Sequence, residues 1–233
     1  MGSLVTYQRE EHCVRLDLDD GKLNILSPAM LAELHAALAR AETEGVPLVL
    51  SGREGAFSAG FDLKVLRGGG SDAADLFLSG FRVAERLLSF PAPVIVVCTG
   101  HAIAMGLFVA LAGDLRIGAA GRYRMTANEV AMGMTLPRTA IEICRHRLVP
   151  GLFDRVVLLS EVFSPEQALV AGMLDRLVTP EELDRAVDEL IGSIAALDMA
   201  AHRNTKLRGR AGLLSALAEA IAADDNELRL AFG

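Results

Sequence analysis

Ala56-Phe57-Ser58-Ala59-Gly60-Phe61-Asp62-Leu63 is the stretch on which the fold turns, and Gly100-His101-Ala102-Ile103-Ala104-Met105-Gly106 repeats its character. In both, small residues follow a strand-like run and precede a helical one, which leaves backbone amides free and pointing outward at a helix N-terminus. Such amides attract developing negative charge. Two of them converging on one oxygen form an oxyanion hole, worth about 3 kcal/mol per donor at a transition state. Alone, each stretch reads equally well as a tight turn, because glycine supplies turn geometry in any protein.

Upstream, Leu4–Tyr7 and Cys13–Leu18 are strand-like, with Val14, Leu16 and Leu18 on one face and Arg15 and Asp17 on the other. Asp19-Asp20-Gly21 makes a turn. Ser27-Pro28 starts a helix, since a serine oxygen caps free amides and proline suits the first turn. Met30, Leu31, Leu34, Leu38 and Ala41 share its apolar face, and Gly45 ends it. Leu48–Leu50 is a short buried strand, Gly68-Gly69-Gly70 a flexible loop, and Ala73–Phe90 a helix that Pro91 and Pro93 stop.

Val94–Cys98 is continuously apolar and β-branched, which suits a strand covered on both faces. A helix over about Gly106–Leu111 follows, then strands over Leu115–Gly118 and Arg122–Met125. This alternation predicts an α/β core. Beyond Asp154 strands become sparse: Ser164-Pro165-Glu166-Gln167 and Thr179-Pro180-Glu181-Glu182 carry the capping-box pattern, so two more helices start there, and the tail is helical. We read residues 1–233 as one domain, with a core over about 1–155 and a helical C-terminal region over about 156–233.

With 52% hydrophobic residues in 233, the chain buries a substantial core and is not a disordered protein. A net charge of -7, with acidic and basic residues interspersed, offers no basic stripe for a phosphate backbone, so nucleic acid is not an expected partner. Cys13, Cys98 and Cys144 are too scattered for a disulfide framework or a zinc site and read as reduced core residues. The first residues lack the apolar stretch of a signal peptide, and no apolar run is long enough for a bilayer. The expectation is a soluble cytoplasmic protein without metal or membrane.

A third segment, Ala127-Asn128-Glu129-Val130-Ala131-Met132-Gly133, completes a pattern. F-S-A-G-F-D-L resembles the crotonase motif F-x-A-G-A-D-L, the second segment resembles N-G-x-A-x-G-G-G before an apolar helix, and A-N-E-V-x-x-G resembles P-E-x-x-x-G. The resemblance runs from Lys22-Leu23-Asn24-Ile25-Leu26 to Ala168–Gly172 and Lys206. It implies membership of the crotonase (enoyl-CoA hydratase/isomerase) superfamily: a spiral of repeated β-β-α turns with a helical C-terminal extension, assembled as a homotrimer or hexamer. An acyl-CoA thioester is then the substrate, and no further cofactor is implied.

Carried over position by position, the oxyanion-hole amides belong to Phe61 and Met105, and Glu129 is the proton carrier. Lys22, Leu23, Ala59, Phe61, Asp62, Leu63, Lys64, Gly106 and Phe108 fall at the substrate and CoA site, with Asp62 and Leu63 beside the adenine, Lys22 or Lys64 near the phosphates, and Gly106 starting the helix that polarises the thioester carbonyl. Apolar residues of the Leu66–Phe81 region line the acyl tunnel. Where hydratases of the family carry a first catalytic glutamate, this chain has Phe108, and the glycine triplet has become Ala104-Met105-Gly106.

Adding water across a 2-enoyl thioester uses two carboxylates, whereas one in a dry pocket suits moving a double bond from the 3-position to the 2-position. The 3,2-enoyl-CoA isomerases of the superfamily likewise keep only the second glutamate, with an apolar residue at the Phe108 position and a proline where Pro137 stands. Isomerisation is thus the first reading, hydration with one glutamate the second, and a non-catalytic acyl-CoA-binding protein the third. The flanks Val130, Ala131 and Met132 argue for burial of Glu129, which raises its pKa toward neutrality. Glu142 reads as part of an ion-pair network and His101 as a packed, hydrogen-bonded side chain, both outside the mechanism.

Overall fold

The structure, a computed structural model, describes residues 2–232. Strands β1 (Val5–Arg9) and β2 (Val14–Leu18) form an antiparallel hairpin, followed by β3 (Ile25–Leu26) and helix α1 (Pro28–Ala41). Next come β4 (Leu48–Ser51), β5 (Gly55–Ser58), β6 (Gly60–Phe61), α2 (Leu63–Gly68) and α3 (Gly70–Ser89). The third turn is β7 (Val94–Cys98), β8 (Gly100–Ile103) and α4 (Met105–Leu111); the fourth is β9 (Leu115–Ala119), β10 (Met125–Thr126) and α5 (Arg138–Arg147). The chain thus winds through four β-β-α turns. After them come α6 (Phe153–Val157), α7 (Pro165–Val170), β11 (Arg176–Val178), α8 (Leu183–Ile194), α9 (Met199–Gly209) and α10 (Ala211–Phe232).

The first strand of every turn joins one six-stranded sheet in the order β1-β2-β4-β7-β9-β11, parallel from β2 onward, while β10-β8-β5 and β3-β6 make two smaller sheets. Parallel pairing needs a crossover between neighbours, which each helix supplies. Val94 and Val96 of β7 face the main core with α1, α3 and α4, whereas Ile95 and Val97 face a second cluster closed by Ala186, Val187 and Ile191 of α8. The uninterrupted apolar run of β7 is the sequence mark of this two-sided cover.

The α1 reading holds in detail: Ser27 Oγ accepts from Met30 N at 3.2 Å, and Met30, Leu31, Leu34, Leu38 and Ala41 are its buried residues. The helix ends at Ala41, and Gly45 (φ 66°) turns the chain just after it. Both capping boxes form, although Thr179 opens a short 3-10 turn before α8. Cys13, Cys98 and Cys144 are buried and free.

Two expectations are corrected. The Gly68-Gly69-Gly70 triplet is a joint between two helices, because Gly69 (φ 64°) and Gly70 (φ 68°) break the helical path for only one residue. The Arg122–Met125 strand shrinks to Met125–Thr126, since the chain bends at Gly121-Arg122 and Arg124 N donates to the His101 side chain instead of to a strand carbonyl. The C-terminal region is helical with sparse strands, as expected: β11 alone among its described residues adds to the large sheet, beside β9, with Leu177 opposite Gly118.

Candidate active site

Strand β6 and the start of α4 come into direct backbone contact. Gly60 has φ 86°, and a Cβ built on it would stand 2.9 Å from Ile103 O and 3.3 Å from Met105 N. Only glycine tolerates both the angle and the approach, so the backbone just before Phe61 packs onto the backbone that opens α4. Gly106 lies equally close to Ser58, 2.9 Å from its carbonyl carbon to an added Cβ. Ser58 Oγ in turn donates to Asn24 O and accepts from Gly60 N, locking β5 to β3 and to the turn between β5 and β6.

Ala104 holds φ 51° and ψ -125° immediately before α4, a conformation that costs an alanine on the order of 1–3 kcal/mol. Its N–H is anchored on Thr126 O at 2.9 Å, and its own carbonyl accepts from Leu107 and Phe108, so the surrounding bonds fix the strained residue. Met105 occupies the first position of α4, where an N–H has no acceptor inside the helix. Its side chain is buried against α3, with Cγ 3.4 Å from a Cβ built on Gly80. It does not line the adjoining cavity.

That cavity, about 80 Å³, is lined by Ala59, Phe61, Leu63, Leu66, Phe77, Ala104, Asn128, Glu129, Met132 and Met134. Glu129 is 6% exposed, and burial pushes its pKa from 4.5 up to about 7, against a weaker pull from its own backbone N–H. Its Oε2 has no hydrogen-bond partner among the described residues, and neither does Asn128 Oδ1. The Glu129 backbone is held firmly: its carbonyl accepts from Met132 N and Met134 N, and Ala131 N donates to Ser160 Oγ. The flanks differ from the sequence expectation, because Val130, Ala131 and Met132 are exposed; a 3-10 turn over Val130–Met132 sends them outward while the glutamate side chain turns in.

The structure therefore brings Ala59, Phe61, Leu63 and Glu129 to one cavity, with Met105 and Gly106 in the backbone behind it. Phe108 does not reach the cavity: it is fully buried and stacks on Phe81 at 6.4 Å, because it lies one turn into α4, on a side that packs against α3. Lys22, Leu23 and Lys64 are exposed, and Asp62 caps α2 by accepting from Lys64 N at 2.8 Å. Glu142 pairs with Arg145, and His101 Nδ1 accepts from Arg124 N, as expected of structural side chains.

Two residues had no assigned role in the sequence. Asn24 is fully buried with φ 53°; its Nδ2 donates to Leu18 O, Ala56 O and Phe57 O, tying β2 to β5. A polar residue between the apolar Leu23 and Ile25 was the available signal. Asn128 stands next to Glu129 and supplies the cavity's other polar group.

The Enoyl-CoA hydratase/isomerase family matches residues 8–231. The chain is similar to an enoyl-CoA hydratase from Mycobacterium marinum, at 41% identity over 99% of this chain and 100% of the other, with a TM-score of 0.90. It is similar to a Mycobacterium tuberculosis protein described in one structure as a probable enoyl-CoA hydratase, at 43% identity over 98% of this chain and 97% of the other with a TM-score of 0.93, and in another as an enoyl-CoA isomerase, at 42% identity over 98% of each chain with a TM-score of 0.90. The carnitinyl-CoA dehydratase of Salmonella heidelberg is 30% identical over 145 residues, 62% of this chain and only 55% of that protein's length. With the spiral of β-β-α turns already traced, the chain belongs to the enoyl-CoA hydratase/isomerase family.

Proposed function

We propose that this protein converts a 3-enoyl-CoA into a 2-enoyl-CoA. The observation that carries this reading is that Glu129 is, among the described residues, the sole carboxylate lining the cavity, and that it is buried with a pKa of about 7. A base of that pKa is well matched to both halves of a proton shuttle near neutrality. Glu129 removes a proton from C2; the C–H electrons form the enolate, and negative charge moves to the thioester oxygen. The amides of Phe61 and Met105 receive that oxygen, and the α4 dipole adds to the field. Glu129 then returns the proton at C4, the C3–C4 double bond becomes C2–C3, and the thioester carbonyl re-forms. No water enters the balance.

The packing of Met105 supports an enzyme over a mere thioester binder, since its side chain leaves the cavity open. Leu63 lines the cavity, and with exposed Lys22, Leu23 and Lys64 and half-buried Asp62 it is assigned to the CoA portion, the two lysines toward phosphates. In this reading the chain works as a trimer or hexamer in the cytoplasm, with the thioester as substrate and no resident cofactor.

A second reading is hydration with one carboxylate. Glu129 Oε2 and Asn128 Oδ1 are both unpartnered acceptors in the same cavity, an arrangement that suits a water donating to each. Incubating the protein separately with a 3-enoyl-CoA and a 2-enoyl-CoA, while following absorbance of the conjugated thioester, separates the two. Conjugation gained from the 3-enoyl substrate and lost in Glu129→Gln supports isomerisation; conjugation lost from the 2-enoyl substrate supports hydration; silence in both with thioester binding intact overturns both.

A further inference from the structure

We propose that Phe77 is the gate that sets acyl-chain length, its ring standing between the Glu129 cavity and a larger apolar pocket beneath α10 that receives the chain when the ring swings aside. This rests on the acyl-CoA reading of the site. A cavity of about 150 Å³ lined by aliphatic and aromatic side chains holds one benzene, so the 80 Å³ around Glu129 takes only a short acyl portion. Beyond it lies a pocket of about 420 Å³, whose apolar walls include Leu136, Pro137, Ile141 and Leu228. Phe77 and Met134 line both spaces. Phe77 also lines a third, much smaller gap between α3 and α10, so this one ring borders all three spaces.

The ring is only half-buried, and its neighbours in the aromatic cluster are Phe61 at 4.9 Å and Phe81 at 6.4 Å. The half-buried ring is held less tightly than those of Phe61 and Phe81, which are buried in the core. The pocket wall also carries charge: Arg138 pairs with Asp224 at 3.1 Å and with Glu227 at 2.6 Å. An unbranched apolar chain is therefore received by Leu136, Pro137, Ile141 and Leu228 rather than by that ion pair.

The test needs no turnover. Calorimetric affinities of butanoyl-CoA and dodecanoyl-CoA are compared for the wild type, Phe77→Ala, and Phe77→Ala with Leu228→Trp. Each methylene taken out of water favours binding about fourfold, so removing the gate should tighten dodecanoyl-CoA by about tenfold or more and move butanoyl-CoA by less than about twofold. Filling the outer pocket through the Leu228→Trp change should cancel the dodecanoyl gain and leave butanoyl binding in place, which also shows that the double variant is folded. Equal shifts for both thioesters, or a dodecanoyl gain that survives in the double variant, would overturn the gate while leaving the acyl-CoA site standing. No binding of either thioester by any of the proteins would instead remove the acyl-CoA reading, and the gate with it.

Discussion

The ring of Phe61 occupies the space that a side chain at Gly80 would need: a Cβ built on Gly80 overlaps the ring edge and stands 2.5 Å from Cζ. Gly80 lies in the middle of α3, where glycine costs about 1 kcal/mol relative to alanine. The helix therefore gives up local stability to let an aromatic ring seat beside it, and the seated ring fixes the residue whose amide is assigned to the thioester oxygen.

Gly80→Ala should consequently trade a small helical gain for a larger packing loss of about 1–3 kcal/mol. Displacing the ring drags the Phe61 backbone, and misplacement by about 1 Å costs on the order of a hundredfold in rate. The expected result is a modest fall in Tm with a much steeper fall in kcat for the 3-enoyl-CoA. A variant with unchanged kcat would separate the Phe61 amide from catalysis.

The charge on Glu129 should be visible in stability as well as in rate. Burial raises its pKa from 4.5 to about 7 in the folded chain, so between those values the folded state holds a proton that the unfolded state has released. Stability therefore falls as pH rises across that window, by roughly 3 kcal/mol at most, and the full cost persists above pH 7. Glu129→Gln should be more stable than wild type toward urea at pH 8, with the advantage shrinking to nothing near pH 4. In the wild type, kcat/KM should rise with pH through about 7 as the carboxylate ionises. A flat stability difference across this range would mean the carboxyl is solvated.

How much of this was legible beforehand varied with the length of the signal. The α1 face was readable because its apolar period recurs along the whole helix, and β7 because an unbroken apolar, β-branched run marks a strand covered on both faces. Strands β3 and β6 were not, because two residues carry no period, yet their pairing of Leu26 with Phe61 helps place the site. Glu129 emerged from a motif, but its flanks misled: Val130 and Met132 look like core residues and lie on the outside of a 3-10 turn. The inward turn of the glutamate depends on Ser160 and Met134 hydrogen bonds that no local pattern announces.

Ala104 offers a test of stored backbone strain. Its φ of 51° is natural for glycine and strained for alanine, and relief of that strain outweighs the extra chain entropy that glycine loses on folding. Ala104→Gly should keep activity and gain about 1 kcal/mol in a urea titration. Ala104→Val, with a branched side chain in the same conformation and at the wall of the cavity, should lose both stability and turnover. If the glycine variant were less stable, the Ala104 conformation would not be strained.

Asn24 is where the fold and the site are held by one side chain. Its Nδ2 serves Leu18 O, Ala56 O and Phe57 O, its Oδ1 accepts from Asp20 N, and Ser58 Oγ donates to its carbonyl, so hairpin, turn and β5 all meet there. Asn24→Ala strands several carbonyls in a site that water cannot reach, at about 1–3 kcal/mol for each left unpaired. It also places alanine at φ 53°. The expected loss is on the order of 3 kcal/mol or more in urea denaturation, with Asn24→Gly recovering the backbone portion but not the hydrogen bonds. Because β5 leads directly into Ala59 and Phe61, the alanine variant should also lose thioester affinity under conditions where it remains folded; full affinity there would show that the site is positioned without this anchor.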